Sequence, residues 1–441
     1  ARTLFDVRTE MVEAFERGAW DEALRRCIVI LQGAPGNFEA RMKVADVLLK
    51  QGMVDEAQEV YKVVAWHFTK AGFPLLGIVA IKMLTSFEAS YQAVLDVLAS
   101  LYAAGSDRVS PDAPRPHLPR LESVEITEAA LNVDQVVPLT GAELGALAAR
   151  LAKDERGLGA YPDKLPALPL FSDLPEDAFA RLLADLKLRR FARDGVVIRE
   201  GEPGDSFFLL ARGVVEVSKK VGGERLKLTE LRDGAVFGEM ALVSHEPRTA
   251  TVRARTHLDL LELHRGDLEK EAGDYESVSR ALTKFTRSRM LNNLMAISAV
   301  FRGLPPAERH AMLERFISTE VRKGQVIIEE GSRGIGLFVI LRGDAEVKKR
   351  EGDTLVPVAL LREGDLFGEI SLIKDVPTTA TVIAGRDGEF LFLSRKEFET
   401  RIRRSPELWR SLSRISDDRL KETARLVAET DFLGDDEFVL L

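Results

Sequence analysis

Apolar residues recur at helical spacing over the first quarter of the chain and in short strand-like runs over its second half. Near the start, Leu24, Cys27, Ile28 and Leu31 form one helical stripe, and Pro35 and Asn37 follow where a helix stop is expected. Gly18-Ala19-Trp20-Asp21-Glu22-Ala23 then recurs as Gly52-Met53-Val54-Asp55-Glu56-Ala57, an offset of 34 residues. The glycine permits a tight turn between paired helices, and the small alanine lets them approach closely. A third, degenerate unit starts at Gly72-Phe73-Pro74 and runs through Leu95 and Tyr102. Residues 1–105 therefore read as an array of helical hairpins.

The pattern breaks at residues 106–165, where Pro111, Pro114, Pro116 and Pro119 exclude a continuous helix or a buried strand. We read this stretch as a linker with a short helix at Leu144–Leu151. Beyond it the runs shorten to Phe207–Leu210, Val214–Val217 and Leu226–Leu228, separated by glycine-bearing turns. Helical spacing returns at Val278, Leu282 and Phe285, with Leu291, Leu294 and Met295 continuing the apolar character. The whole pattern then repeats. Leu170–Pro175 recurs as Val300–Pro305, and Gly201, Gly213, Gly238 and Glu239 recur as Gly331, Gly343, Gly368 and Glu369, every offset being 130 residues. Leu337–Ile340, Ala345–Val347 and Val356–Val358 match the strand runs, and Leu408, Leu412 and Ile415 match the helix. Residues 166–297 and 298–425 are two copies of one domain, a β-roll or jelly roll followed by helices; residues 426–441 form a tail. The fold class is multidomain α + β: a helical array, then two β-rolls with flanking helices.

Composition narrows the function classes. Among 441 residues the formal net charge is −8, which argues against general nucleic-acid binding. Cys27 is the single cysteine, so an intramolecular disulfide is excluded, and its place on the stripe makes it a core residue in a reducing compartment. No apolar run reaches the roughly 20 residues of a membrane helix, and the N-terminus lacks the order of a signal peptide. A cytoplasmic protein without membrane insertion is expected. The six histidines, His67, His117, His245, His257, His264 and His310, show no metal spacing. Gly331–Gly336 matches a dinucleotide loop in spacing alone, since no βαβ unit surrounds it. Walker, kinase and nucleophile-elbow motifs are also missing, so we expect neither an enzyme nor a bound metal or cofactor. Arg401–Arg404 and Asp435–Glu437 read as solvated charge, and Phe438–Leu441 as a possible docking tail.

The segment with chemistry is Phe237-Gly238-Glu239-Met240-Ala241-Leu242, continuing to Pro247-Arg248-Thr249-Ala250-Thr251-Val252. Gly238 lets a backbone approach closely, and Met240, Ala241 and Leu242 suit the first turn of a short helix whose N–H groups attract an anion. Arg248 supplies a guanidinium for a phosphate, Thr249 a hydroxyl beside it, and Glu239 a pure acceptor for a hydroxyl donor. These are the needs of a cyclic nucleotide: one phosphodiester charge, a ribose 2′-hydroxyl and a flat purine.

This segment, within its β-roll, resembles the phosphate-binding cassette of the cyclic-nucleotide-binding domain family, as in regulatory subunits of cyclic-AMP-dependent protein kinase. Nine positions separate Glu239 from Arg248, as the resemblance requires. It implies that Glu239 binds the ribose 2′-hydroxyl and Arg248 the phosphate, with Phe237, Gly238, Met240, Ala241, Thr249 and Ala250 completing the pocket. Over residues 4–105 the chain likewise resembles tetratricopeptide repeats, whose period is 34 residues; a generic helical hairpin array predicts nearly the same shape. The alternative for the cassette is a vestigial site in which Glu239 and Arg248 merely pair with each other.

The second copy departs from the pattern. Gly368, Glu369 and Ser371 keep the first half, but Thr378 stands where the first copy has Arg248, followed by Thr379. Loss of a buried charge-assisted contact costs about 2–5 kcal/mol, or some 30- to 5,000-fold in affinity. Glu369 is expected to face an incoming anion without a compensating cation, so this copy binds a standard cyclic nucleotide weakly or not at all. It serves instead as a structural partner, a docking surface or a pocket for another ligand. Cyclic AMP is the expected ligand of the first copy, with cyclic GMP as the alternative raised by Thr249. The resulting reading is a signalling adaptor that relays ligand binding to a protein partner through domain reorientation and the helical array. A ligand-free scaffold and a kinase regulatory subunit are the alternatives, although no Arg-Arg-x-Ser/Ala inhibitor segment occurs in the linker. A transcription factor is disfavoured, because only about 25 residues follow Ile415 and no helix-turn-helix is evident there.

Overall fold

Paired helices occupy the N-terminal region: α1 (Leu4–Glu16), α2 (Trp20–Gly33), α3 (Phe38–Lys50), α4 (Val54–Lys70), α5 (Pro74–Met83) and α6 (Glu88–Tyr102). The computed structural model describes residues 3–118, 121, 124–125, 138–156, 158, 160–221, 224–239, 247–248, 250–274, 276, 278, 280–281, 284–285, 315–352 and 354–433. Local chemistry sets the helix starts. Thr3 and Asp6 form a capping box on α1, and the Asn37 side chain accepts from Ala40 N–H at 2.8 Å to open α3. The turns ahead of α2 and α4 take left-handed φ at Gly18 and Gly52, as the repeat requires. Cys27 is buried within α2, and burial pushes its thiol pKa up.

The chain divides into two compact units, residues 1–286 and 287–441. In the first, the array and the first β-roll share one hydrophobic core. The segment between them is not featureless. Helix α7 (Gly141–Lys153) packs on α2, α3 and α4, and β1 (Val109–Ser110) pairs in parallel with β2 (Leu165–Pro166). Arg41, buried in α3, fastens α7 by donating to the Ala152 carbonyl at 2.7 Å and the Asp154 carbonyl at 2.8 Å. The proline spacing made this stretch read as linker, but its apolar face at Leu144, Ala148, Ala149 and Ala152 is buried against the array.

A 3-10 turn (Phe171–Asp173) and helix α8 (Glu176–Asp185) lead into the first roll. Its strands are β3 (Lys187–Phe191), β4 (Val196–Ile198), β5 (Ser206–Arg212), β6 (Val215–Val221), β7 (Glu224–Leu231), β8 (Val236–Phe237), β9 (Thr251–Ala254) and β10 (Leu258–His264), followed by α9 (Arg265–Asp274). They form two four-stranded sheets, ordered β3-β10-β5-β8 and β4-β9-β6-β7. Ile198, Phe208, Leu210, Phe237, Val252 and Leu260 fill the space inside. Val278 and Phe285 of the expected helix are helical and buried, whereas Leu282, Leu291, Leu294 and Met295 lie outside the described residues.

The second roll repeats this plan with β11 (Ile317–Val321), β12 (Val326–Ile328), β13 (Gly336–Arg342), β14 (Ala345–Glu351), β15 (Thr354–Leu361), β16 (Leu366–Phe367), β17 (Thr381–Ala384) and β18 (Gly388–Ser394). Its sheets run β11-β18-β13-β16 and β12-β17-β14-β15, the same order shifted by eight strands. Helix α10 (Glu369–Ile373) sits between β16 and β17, and α11 (Arg395–Arg401) and α12 (Pro406–Leu433) end the described chain. Among the described residues, no helix is long and apolar enough to cross a membrane, and no group of His, Cys, Asp and Glu is placed to hold a metal.

Candidate ligand sites in the two rolls

In the first roll, strand β8 delivers Phe237, whose ring stacks on Phe208 with centroids 5.3 Å apart. Gly238 then turns the chain at φ +77°, a left-handed conformation that suits glycine, and Glu239 follows, 6% exposed. Arg248 returns to the same place from the far side of the cassette. Its backbone N–H donates to the Glu202 carbonyl at 2.8 Å, and its own carbonyl accepts from Gly201 N–H at 2.8 Å. These two bonds pin residue 248 to the turn between β4 and β5. Its guanidinium donates to the Ser206 carbonyl at 2.7 Å and the Gly238 carbonyl at 3.1 Å. Burial pulls the Arg248 pKa below its usual value, while the negative charges of Asp205, Glu262 and Glu239 pull it back.

The neighbours of Arg248 were not visible in the cassette motif. Gly204 is one, because a Cβ there would overlap the Arg248 guanidinium. Ser206 is another: its carbonyl accepts from Arg248, and its hydroxyl donates to Glu262 at 3.0 Å. Arg189 also donates to Glu262 at 2.7 Å. Burial works against the Glu262 charge, but the hydrogen bonds from Arg189 and Ser206 hold its carboxyl below the usual range. The repeat could have found Gly204, which recurs as Gly334 at the same offset of 130. Of the expected site residues, Phe237, Gly238, Glu239, Arg248 and Ala250 lie within the described residues, and the Arg248 guanidinium is brought to the Gly238 carbonyl beside Glu239; Met240, Ala241 and Thr249 lie outside the described residues.

The second roll has the same backbone and different side chains. Thr378 N–H donates to the Ser332 carbonyl at 2.9 Å, and Gly331 N–H donates to the Thr378 carbonyl at 2.8 Å. The Thr378 hydroxyl turns back into this turn, accepting from Ser332 N–H at 2.9 Å and contacting the Glu329 carbonyl. Gly368 is left-handed at φ +87° and starts α10. Ser371 takes the place that Arg248 holds in the first copy. Its hydroxyl donates to the Gly368 carbonyl at 3.1 Å, and a Cβ on Gly334 would overlap it.

One expectation needs correction. Glu369, 1% exposed, is not without a cation: Arg419 from α12 donates to it at 2.9 Å and to the Leu366 carbonyl at 2.6 Å. Burial raises the Glu369 pKa, and Arg419 opposes the rise. The motif missed Arg419 because it lies 50 residues downstream of Glu369 (419 − 369) on another element. The 130-residue repeat could have flagged it, since it carries Arg419 onto Arg289, outside the described residues. Thr378, Thr379, Ser371, Gly368, Glu369 and Arg419 line one cavity of about 430 Å³, walled by Ile328, Val347, Leu361, Phe367 and Val382.

A buried carboxylate after a left-handed glycine, with an arginine nine positions on pinned by its own backbone, is an arrangement for a small anion that carries a hydroxyl. The family model described as cyclic nucleotide-binding domain matches residues 188–275 and 318–405, one stretch in each roll. The chain carries two cyclic nucleotide-binding domains. A tetratricopeptide repeat model matches residues 14–65 as well. Both the resemblance of the cassette and that of the array are thus shown, together with the fold class. Relatives include the cAMP-dependent protein kinase regulatory subunit of Blastocladiella emersonii, 31% identical over 52% of this chain and 55% of that protein. The regulatory subunit of Yarrowia lipolytica is 32% identical over 49% of this chain and 54% of that protein. The chain spans about half the length of these curated relatives. Among solved structures, the regulatory domain of Toxoplasma gondii PKA with cAMP is 27% identical, covering 56% of this chain and 92% of that one with a TM-score of 0.29. The matched stretches include residues 238–250 of the first roll and 368–380 of the second.

Proposed function

We propose that this protein is a non-catalytic regulatory protein that senses cyclic AMP in its first cyclic nucleotide-binding domain. The observation that carries the reading is Arg248, pinned to the β4–β5 turn by two backbone bonds with its guanidinium at the Gly238 carbonyl, next to buried Glu239. In the proposed complex the phosphate takes the Arg248 guanidinium, which exchanges two neutral carbonyl acceptors for an anion and a stronger, charge-assisted bond. Glu239 accepts from the ribose 2′-hydroxyl. Phe237, Gly238, Met240, Ala241, Thr249 and Ala250 frame the ligand, and Ser206 with Glu262 holds the floor beneath the arginine. The names of the curated relatives favour cyclic AMP over cyclic GMP.

The partner is a further proposal. A kinase catalytic subunit is favoured by the relatives' names, and the helical array offers a second route to a protein partner. Part of the array's surface is already engaged, however. Glu39 of α3 pairs with Arg212 of β5 at 2.7 Å, and α5 packs on β3 and β5. A partner of the array must use what the roll and α7 leave uncovered, or displace one of them. Ligand-driven reorientation of the rolls is the proposed relay, and it requires that the nucleotide favour one arrangement over the other.

Calorimetric titration of cyclic AMP into the full chain and into Arg248→Ala tests the reading. We expect micromolar or tighter binding by the wild type and a loss of some 30- to 5,000-fold in the variant. Equal affinities for the two proteins would refute the site. Capture of a kinase catalytic subunit that cyclic AMP releases would support that partner, and capture unaffected by cyclic AMP would count against it.

A further inference from the structure

The array holds α7 by its two ends. At the start of that helix, the Asp21 carboxylate of α2 accepts from Gly141 N–H at 3.0 Å, and Gln51 steadies the carboxylate by donating to it at 3.3 Å. Arg25, one turn further along α2, donates to the Leu139 carbonyl at 3.1 Å. At the far end Arg41, 1% exposed, donates to the Ala152 and Asp154 carbonyls and, at 2.8 Å, to the Pro35 carbonyl. A helix leaves unsatisfied N–H groups at its start and unsatisfied carbonyls at its end, with the matching partial charges. The array thus supplies an anion for the first and a cation for the second. Between the ends, Gly145, Ala148, Ala149 and Ala152, spaced i, i+3, i+4 and i+7, are buried where α7 packs on α2, α3 and α4. A Cβ on Gly145 would stand 2.7 Å from Met53 Sδ and 3.1 Å from Leu48 Cδ2, so the seat admits only a small-faced helix.

These hydrogen bonds end on the backbone of the α7 segment, and a backbone is common to every helix. We propose that the seat formed by α2, α3 and α4 is a docking site for a helix of a partner protein, and that α7 fills it in cis until such a helix displaces it. The partner helix carries Gly or Ala at i, i+3, i+4 and i+7, with acidic residues just past its end, where this chain has Asp154 and Glu155. Arg41 sets that last requirement. Burial pulls its pKa down to about 10, and the charges of Asp154 and Glu155 oppose the fall. Arg41 also decides between exchange and simple release. An empty seat leaves a buried guanidinium short of two acceptors, whereas an incoming helix end replaces them. The inference rests on the reading of the array as a partner-binding element and names the chemistry of the partner.

A labelled peptide of residues 138–156 is the probe. In the wild-type chain α7 competes from its tether, at an effective concentration on the order of millimolar, and holds the peptide off. Gly145→Leu in the full chain unseats α7. The peptide should then bind about tenfold or more tightly than to the wild type, read by fluorescence anisotropy. The same peptide carrying the leucine should not bind. Should the variant chain fail to fold, hydrogen exchange on the wild type carries the test: saturating heavy-isotope peptide should speed exchange of the α7 amides by about tenfold or more. Three results would overturn the proposal. One is a folded Gly145→Leu chain, by circular dichroism, that binds the peptide no more tightly than the wild type does. Another is α7 exchange unchanged by saturating peptide. The third is a wild-type chain that elutes as a dimer and is split by the peptide, which would give the seat to a second copy. Each of these failures concerns the seat alone, since a partner bound to the uncovered surface of the array would still be captured by the Gly145→Leu chain.

Discussion

Arg248 reaches the cassette only because residue 204 has no side chain. The guanidinium passes over Gly204 to reach the carbonyls of Ser206 and Gly238. Gly204→Ala puts a methyl group on that path, and an arginine that cannot take its rotamer cannot present both of its bonds to a phosphate. We expect Gly204→Ala to weaken cyclic AMP binding by about tenfold or more, read by titration calorimetry. Gly334→Ala, at the matching place in the second roll, meets Ser371 instead and should leave cyclic AMP affinity unchanged. An equal loss in both variants would mean that the glycines serve the fold and not the arginine. The residue scale is also where reading the sequence ran short. Glu239 and Arg248 announce themselves through their motif, whereas Ser206, Glu262 and Arg419 belong to other strands and helices and join the sites only through the fold.

Strand β5 links two charged places. At one end Ser206 lies under Arg248; at the other Arg212 enters a cluster where the array meets the roll. Arg212 binds Glu39 of α3 at 2.7 Å and Asp259 of β10 at 2.7 Å, and Arg8 of α1 binds Glu39 from the other side. Arg190 of β3 joins Asp259 at 3.2 Å and Asp46 of α3 at 3.5 Å. Burial alone would raise the Glu39 pKa, but Arg212 and Arg8 lower it from 4.5 to about 2. The sign follows. A folded pKa below the unfolded one gives stability that is whole above pH 4.5 and is lost as the pH falls from 4.5 through 2. The shift corresponds to about 3 kcal/mol between those limits. Glu39→Gln should therefore destabilise the first unit at neutral pH by about 3–5 kcal/mol, since it leaves Arg212 and Arg8 short of a charge. In urea unfolding, the gap between variant and wild type should shrink as the pH falls through that window. A gap constant with pH would show that the Glu39 carboxylate gains nothing from its arginines. The helices and strands themselves were legible, because periods of 3.6 and 2 survive in the apolar pattern; that holds for the core of α7 at Leu144–Leu151 too, but its packing on the array was not legible, since it is fastened by Arg41, 111 positions before Ala152.

Two compact units in one chain lead to two unfolding transitions. Cyclic AMP should raise the transition of residues 1–286 alone, by about 2.7 kcal/mol of stability at a hundredfold excess over its Kd. Scanning calorimetry reads this directly, and a shift of both transitions, or of the other one, would place the ligand in the second roll. The tandem plan was visible in the sequence because each landmark recurs at 130 residues, and the two sheets of each roll repeat strand for strand. The union of array and first roll into one unit was not, since it rests on a shared apolar core whose contacts are far apart in sequence and on charges such as Glu39, Asp46, Arg190 and Arg212 that look like solvated surface when read along the chain. The two cassettes are unequal: the first has Arg248 at the Gly238 carbonyl, and the second has Thr378 at the matching sequence position with the Ser371 hydroxyl at the Gly368 carbonyl. The most direct measurement is the number of cyclic AMP molecules bound per chain at saturation, by equilibrium dialysis with wild type and Arg248→Ala. One molecule on the wild type and none on the variant is the predicted result; two on the wild type, or one retained by Arg248→Ala, would contradict it.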